Sequence, residues 1–136
     1  ESAGVLIAET DGASLPIPVP GEGAWKALLE GALACFHDTA LFCVQTAFTR
    51  HSGKAEIRRM FEDFFGAYET IIHRDFTCTV DEANGRITAC FTAELHDADG
   101  KVTLLENTNF WRLRPGEGGP KFQEVYVYMS GANVLV

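Results

Sequence analysis

The sequence predicts an α+β domain, with helices in its first half and a meander of long strands in its second. Three observations carry this: a strongly amphipathic segment from Ile57 to Tyr68, two-residue alternation through 76–95 and 101–129, and turn signals between the alternating runs. At 136 residues the chain fits one hydrophobic core. A hydrophobic content of 46% is too high for a disordered chain. Its ten Phe residues either fill a large core or line a cavity, and composition does not separate the two.

Residues 1–23 read as an extended N-terminal arm ahead of a single domain over 24–136. Val5-Leu6-Ile7-Ala8 suits one short strand and Thr10-Asp11-Gly12 a turn, while Pro16, Pro18 and Pro20 exclude a helix. Trp25, Leu28, Leu29, Ala32 and Cys35/Phe36 then recur at three- and four-residue steps, giving a first helix. His37-Asp38-Thr39 breaks that stripe, and the apolar run Ala40–Val44 suits a strand covered on both faces. Ser52-Gly53 opens the second helix. Ile57, Met60, Phe61, Phe64, Phe65 and Tyr68 form its apolar face, opposite Glu56, Arg58, Arg59, Glu62 and Asp63. Strands are expected at 76–80, through Ile87–Leu95, over 101–114 and over 121–129. Their turns are 81–85, the Asp-Gly turn Asp97–Gly100, and the loop from Pro115 to Pro120.

Charge and motif content narrow the function. A net charge of −8 with no basic cluster larger than Arg58-Arg59 argues against nucleic acid and against an anionic membrane surface. No apolar run reaches the roughly 20 residues that span a bilayer, and no signal peptide opens the chain. Cys35, Cys43, Cys78 and Cys90 lack paired spacing, so they read as buried free thiols of a reducing, cytoplasmic compartment rather than zinc ligands. Four scattered histidines offer no metal site, and phosphate-binding loops and nucleophile elbows are missing. No cofactor is expected.

Three stretches carry a resemblance. His51-Ser52-Gly53-Lys54-Ala55-Glu56-Ile57 looks like the x-S-G-x-x-x-I opening of the long helix in NTF2-like proteins. Asn109-Phe110-Trp111-Arg112-Leu113, followed by a Gly-rich loop, resembles the penultimate strand of ketosteroid isomerases and SnoaL-type polyketide cyclases. Tyr128-Met129-Ser130-Gly131-Ala132-Asn133 resembles the Y-W-S-x-x-N end of the isomerases' last strand. The similarity spans roughly residues 25 to 133. It implies a cone, a mainly antiparallel curved sheet wrapped around helices and enclosing an apolar pocket, and a homodimer formed through the outer sheet face. Members of this superfamily include isomerases, cyclases, dehydratases, epoxide hydrolases and binding modules, so the fold does not choose a function. In ketosteroid isomerases a carboxylate base works with a Tyr and a protonated Asp that bind the oxyanion. Here the resemblance puts the base position on or beside Val44, the Asp position on Asn109 and the Pro-rich arm where the Tyr-bearing helix belongs. All three roles are altered.

The candidate site residues follow from alternation. Leu105, Asn107, Asn109, Trp111 and Leu113 share one strand face, which offers two amides among large apolar groups, either as pocket anchors or as satisfied core amides. Glu124, Tyr126 and Tyr128 share a face of the last strand. If it looks inward, Glu124 is a candidate base, Tyr126 a catalytic phenol and Tyr128 a ligand contact; if outward, they are interface residues. His51 stands at the rim and Phe61 on the apolar helix face, both as candidate ligand contacts. Glu94, His96, Glu106 and His73 read as solvent-facing or strand-edge residues, and Asp38 as a helix-end cap. Two readings remain open. One is a cofactor-free proton-transfer enzyme acting on a small hydrophobic, cyclic molecule, with Asn109, Glu124 and Tyr126 as catalytic residues and Asn107, Trp111, His51, Tyr128 and Phe61 as binding residues. The other is a non-catalytic ligand-binding or dimerisation module that has lost the acid–base residues.

Overall fold

Alternation of inward apolar and outward polar residues along the long strands builds one curved, open sheet, and two helices cover its concave face. The computed structural model describes residues 4–10, 13–19 and 22–136, with side chains from Lys26 onward. Its elements are β1 (Gly4–Thr10), β2 (Ala13–Val19), α1 (Glu22–Leu33), β3 (Phe36–Val44), a 3₁₀ turn (Gln45–Ala47), β4 (Thr49–Ser52), α2 (Lys54–Ala67), β5 (Thr70–Asp81), β6 (Arg86–His96), β7 (Val102–Gly116) and β8 (Gly119–Met129). Among the described residues the sheet has eight strands in the order β2-β1-β5-β6-β7-β8-β3-β4. The pairs are antiparallel except β1–β5 and β3–β8. This is the α+β architecture that the order of the elements predicts. No helix among the described residues is long and apolar enough to cross a membrane.

In the stretch expected to be an extended arm, the strand expected over Val5–Ala8 is β1, and a second strand, β2, pairs with it. β1 pairs with β2 from Gly4↔Val19 to Thr10↔Ala13, and β1 adds in parallel to β5 with Ala8 opposite His73. Pro16 and Pro18 are tolerated because β2 is an edge strand and their spacing of two puts both on the same side of it. The expected turn residues Asp11 and Gly12, Pro20 and the side chain of Trp25 lie outside the described residues.

Two further elements start earlier than the sequence reading places them. β3 begins at Phe36, not Ala40, because a register shift between Phe36 and Leu41 carries the polar residues His37, Asp38 and Thr39 outward without ending the strand. β5 begins at Thr70, not Phe76. A bulge between Arg74 and Thr77 hides its periodicity, and Asp75 sits there with a left-handed backbone (φ 59°). The loop expected from Pro115 to Pro120 is a tight hairpin, since Gly116 still pairs with Gly119.

α2 follows its sequence signal closely. Gly53 precedes it at φ 84°, a conformation that favours glycine, and donates its N–H to the Ala40 carbonyl at 2.7 Å. Ile57, Met60 and Phe64 are buried, and Phe61, Phe65 and Tyr68 pack against the same core. With Leu33, Val44, Ile71, Leu95, Val125 and Val127 they form the centre of the molecule, each fully buried aliphatic side chain contributing about 1.5–3 kcal/mol. The thiols depart from expectation. Only Cys43 is buried, and burial pushes its pKa up; Cys35, Cys78 and Cys90 are exposed, because they lie at a helix end and on outward strand positions.

Candidate functional site

Small residues on β6 leave a space beneath the helices. Its inward positions run Ala89, Phe91, Ala93 and Leu95, and the last three line that space. A partly enclosed cavity of about 260 Å³ results. Its helical wall carries Phe61 and Phe64, β3 contributes Phe36 and Phe42, and Trp111 and Phe122 close one side. Phe61 lies edge-on to Phe36 and Phe42, with centroids 6.2 and 5.8 Å away. These contacts fix the wall's shape through ring packing. Much of the phenylalanine content therefore lines a cavity as well as filling the core.

Polar groups reach this cavity from two strands. Asn107 and Asn109 line it from β7, on the face that alternation predicts, with Leu105 and Trp111 beside them. Asn107 is only 8% exposed. The Oδ1 atoms of both amides are buried with no hydrogen-bond partner. An acceptor in that state costs about 1–3 kcal/mol, so the pair is expensive in the empty protein. The register aligns Asn107 with Phe91 and Met129, and Asn109 with Ala89 and Val127. Each amide is thus flanked by apolar side chains that cannot satisfy it.

The third polar group is His73, which the sequence reading placed at the surface. It lines the cavity from β5, two strands from Leu105 through Ala93, with its ring 4.9 Å from that of Phe91. Burial pushes its pKa down to about 4, so the imidazole is neutral at neutral pH. Its ring makes no hydrogen bond to another described residue. The alternation Ile71–His73, continued past the bulge by Phe76, was the available signal, and the bulge at Asp75 obscured it. Cys35, at the end of α1, also lines the cavity.

The structure separates the remaining candidates from this space. On β8, Val125, Val127 and Met129 take the inward positions, so Glu124, Tyr126 and Tyr128 lie on the outer face. The Arg112 guanidinium donates to the Glu124 carboxylate at 3.0 Å. Burial, with Glu124 next in importance, pushes the Tyr126 phenol up and keeps it neutral. Tyr128 is 43% exposed, with its ring against that of Phe110. Asn107, Asn109, Trp111 and Phe61 are therefore gathered in one cavity, while the last-strand trio points away from it.

His51 is buried behind the cavity wall rather than standing at its rim. Its Nε2–H donates to the Leu135 carbonyl at 2.9 Å, and an Arg59 N–H donates to Nδ1 at 3.3 Å. A carbonyl only accepts and a guanidinium only donates, which fixes the neutral tautomer with its proton on Nε2. Leu135 and Val134, held by this contact, form part of the cavity lining. Gly131 lets the same segment cross Leu105, since a Cβ there would lie 2.6 Å from Leu105 Cδ2.

Glu94 and His96 lie outward, as the alternation predicts, but on an interior strand rather than an edge. Glu94 takes hydrogen bonds from His96 at 2.6 Å and Arg74 at 3.2 Å, which together hold its carboxyl below its ordinary pKa. Glu106 accepts from the Thr92 hydroxyl, and Asp38 pairs with Lys54 at 3.4 Å. Among the described residues no group of three or more His, Cys, Asp or Glu side chains is placed to hold a metal.

No protein-family model and no curated protein matches the sequence. Solved structures do match in three dimensions. A protein provisionally assigned as an aromatic ring hydroxylase from Novosphingobium aromaticivorans superposes with a TM-score of 0.65 at 21% identity, over 76% of each chain. A protein with a ketosteroid isomerase-like fold from Catenulispora acidiphila, solved with trimethylamine, gives 0.65 at 13% identity over 83% of this chain and 84% of its own. An NTF2-like protein of unknown function from Exiguobacterium gives 0.62 at 18% identity over 82% and 87%. Element order, sheet topology and these superpositions agree that the chain has the NTF2-like fold.

Proposed function

We propose that the cavity binds a small, neutral, ring-bearing hydrophobic molecule, and that His73, Asn107 and Asn109 engage its polar groups. The observation that carries this reading is the pair of unpartnered amide oxygens in an otherwise apolar cavity. Buried polar groups are nearly always satisfied in folded proteins, and those that are not call for a functional account. Turning either amide toward the cavity would let a polar ligand supply the missing partner. Neutrality follows from the lining, which among the described residues brings no Lys, Arg, Asp or Glu side chain to the ligand, so a charged molecule would lose its hydration uncompensated.

Proton-transfer chemistry without a cofactor is compatible with this site. His73 is the basic group in the lining, and a conjugate acid near pKa 4 matches the strength of carboxylate bases that remove a proton next to a carbonyl. Neutral His73 would take the proton, while an amide N–H would stabilise the developing oxyanion. The second reading is a non-catalytic binding module. It is favoured by the lack, among the described residues, of a carboxylate in the lining and of a partner to orient the His73 ring.

Calorimetric titration with neutral bicyclic alcohols and ketones tests binding, and a bound ligand raises the melting temperature by mass action. Deuterium exchange at the carbon next to the ketone carbonyl, followed by NMR, separates the two readings. Exchange that depends on His73 supports the enzyme, and binding without exchange supports the module. Lack of binding by every ring compound tested would overturn both.

A further inference from the structure

The cavity changes character along its length. One end is marked by Cys35, which is exposed, and by Trp111 and Phe122, which are half-buried, so the cavity opens there. From that end the lining on β7 runs Trp111, Asn109, Asn107 and Leu105, which places both amides short of Leu105. His73 faces them from β5, level with Ala93 and Leu105 in the register, and Leu95 lies two residues further along β6, about 7 Å deeper. The deep end is formed by Phe64, Leu95, Leu105, Met129 and Leu135, each at most 8% exposed. The segment after β8 closes over it, with Gly131 crossing Leu105 so closely that a Cβ would lie 2.6 Å from Leu105 Cδ2.

We infer that the ligand carries a short apolar substituent on the side of its ring away from the polar group, that this substituent fills the deep end, and that Leu95 and Leu105 set its length. This deepens the proposed function and rests on it. The reverse orientation would bury the ligand's polar group among side chains that cannot replace its hydration, and would leave His73 and the amides against hydrocarbon. A substituent aimed at the open end would meet no wall, so its length would matter only through the apolar area it buries. The deep end does have a wall, and close-packed interiors yield little to an extra methylene. Length selection is therefore the signature of the inferred orientation.

The 4-alkylphenols from methyl to hexyl test this, titrated into the wild-type protein by calorimetry. Each methylene that fits should raise affinity about fourfold, the equivalent of about 0.8 kcal/mol. The series should break before hexyl, with affinity falling about tenfold at the first chain that overfills the deep end. Leu95→Ala and Leu105→Ala should each move the break to a longer chain and tighten binding of the first excluded phenol about tenfold or more. Leu→Val at the same positions provides the same test, with a smaller shift, should the alanine variants fail to fold. Affinity that climbs through hexyl without a break, or a break that neither position moves, overturns the substituent inference while leaving the proposed pocket intact. Failure of every phenol to bind overturns both together.

Discussion

The Nε2–H of His51 donates to the Leu135 carbonyl at 2.9 Å, tying the segment after β8 to the middle of β4. Asn133 reinforces the tie, donating from Nδ2 to the Thr49 hydroxyl at 3.0 Å and accepting the Leu135 N–H at 2.9 Å. His51 thus supports the cavity from behind rather than touching its contents. Replacing it with Leu leaves a buried carbonyl unmet and should destabilise the fold by about 1–3 kcal/mol. Hydrogen exchange at Leu135 should accelerate in that variant more than exchange at Val125 or Val127. Uniform acceleration across β8 would show that the contact is not a local tie.

Asn107→Leu and Asn109→Leu should behave in the opposite sense. Each removes an unmet acceptor from an apolar wall, so each should stabilise the ligand-free protein by about 1–3 kcal/mol, read as a higher denaturant midpoint. Stability gained by deleting a polar group is expected where function maintains that group. A loss of stability in both variants would mean that the amides already have partners.

His73 sets a pH dependence whose sign follows from its depressed pKa. Its unfolded value is near 6.5 and its folded value about 4, so between these the unfolded chain binds more protons. Stability from this group is therefore present above pH 6.5 and is lost progressively as pH falls toward 4. His73→Phe should flatten that part of the pH–stability curve. Affinity for a neutral ligand should stay level from pH 8 to 6, because His73 remains uncharged there.

Filling the cavity gives a separate check. Ala93 is 3% exposed and lies between His73 and Leu105 in the sheet register. Ala93→Phe should abolish binding of ring compounds at a stability cost no greater than the 1–3 kcal/mol typical of overpacking. Unchanged affinity would place the ligand elsewhere.

Glu124→Gln tests the outer face. Its pairing with Arg112 is partly exposed on both sides, with side-chain exposures of 25% and 31%, and such pairs contribute about 0–1 kcal/mol. Stability should change within that range, and ring-compound binding should be unchanged. A fall in affinity would assign Glu124 a role that its position on β8 does not suggest.

Much of the fold was legible because its periodicities are strong. The apolar face of α2 and the alternation of β6 and β7 leave little freedom, and the β7 pattern correctly grouped Asn107, Asn109 and Trp111. The misreadings share a cause. Bulges at Asp75 and between Phe36 and Leu41 each disrupt a period of two, which hid the beginnings of β5 and β3 and, with the former, the inward orientation of His73. The orientation of β8 was undetermined for another reason. Glu124, Tyr126 and Tyr128 alternate with Gln123, Val125, Val127 and Met129, and a tyrosine suits either face. The role of His51 depends on a contact with Leu135 far along the chain, which no local pattern reports.

The parallel pairing of β3 with β8 sets the order in which the protein can be assembled. Phe42 has no cross-strand partner on that side until Val125 has been synthesised, whereas the β5–β8 meander pairs as each strand emerges. During translation β3 can pair with β4 on one edge, but its other edge must wait open, with its Phe36 and Phe42 rings exposed to solvent or loosely collapsed on α2. Closure is thus a late, long-range event of the kind that slows folding and leaves open edges available to neighbouring chains. The strand that completes the cavity wall is also the strand that ends this exposure, so a chain truncated within β8 should be caught by chaperones rather than persist as a partly working pocket.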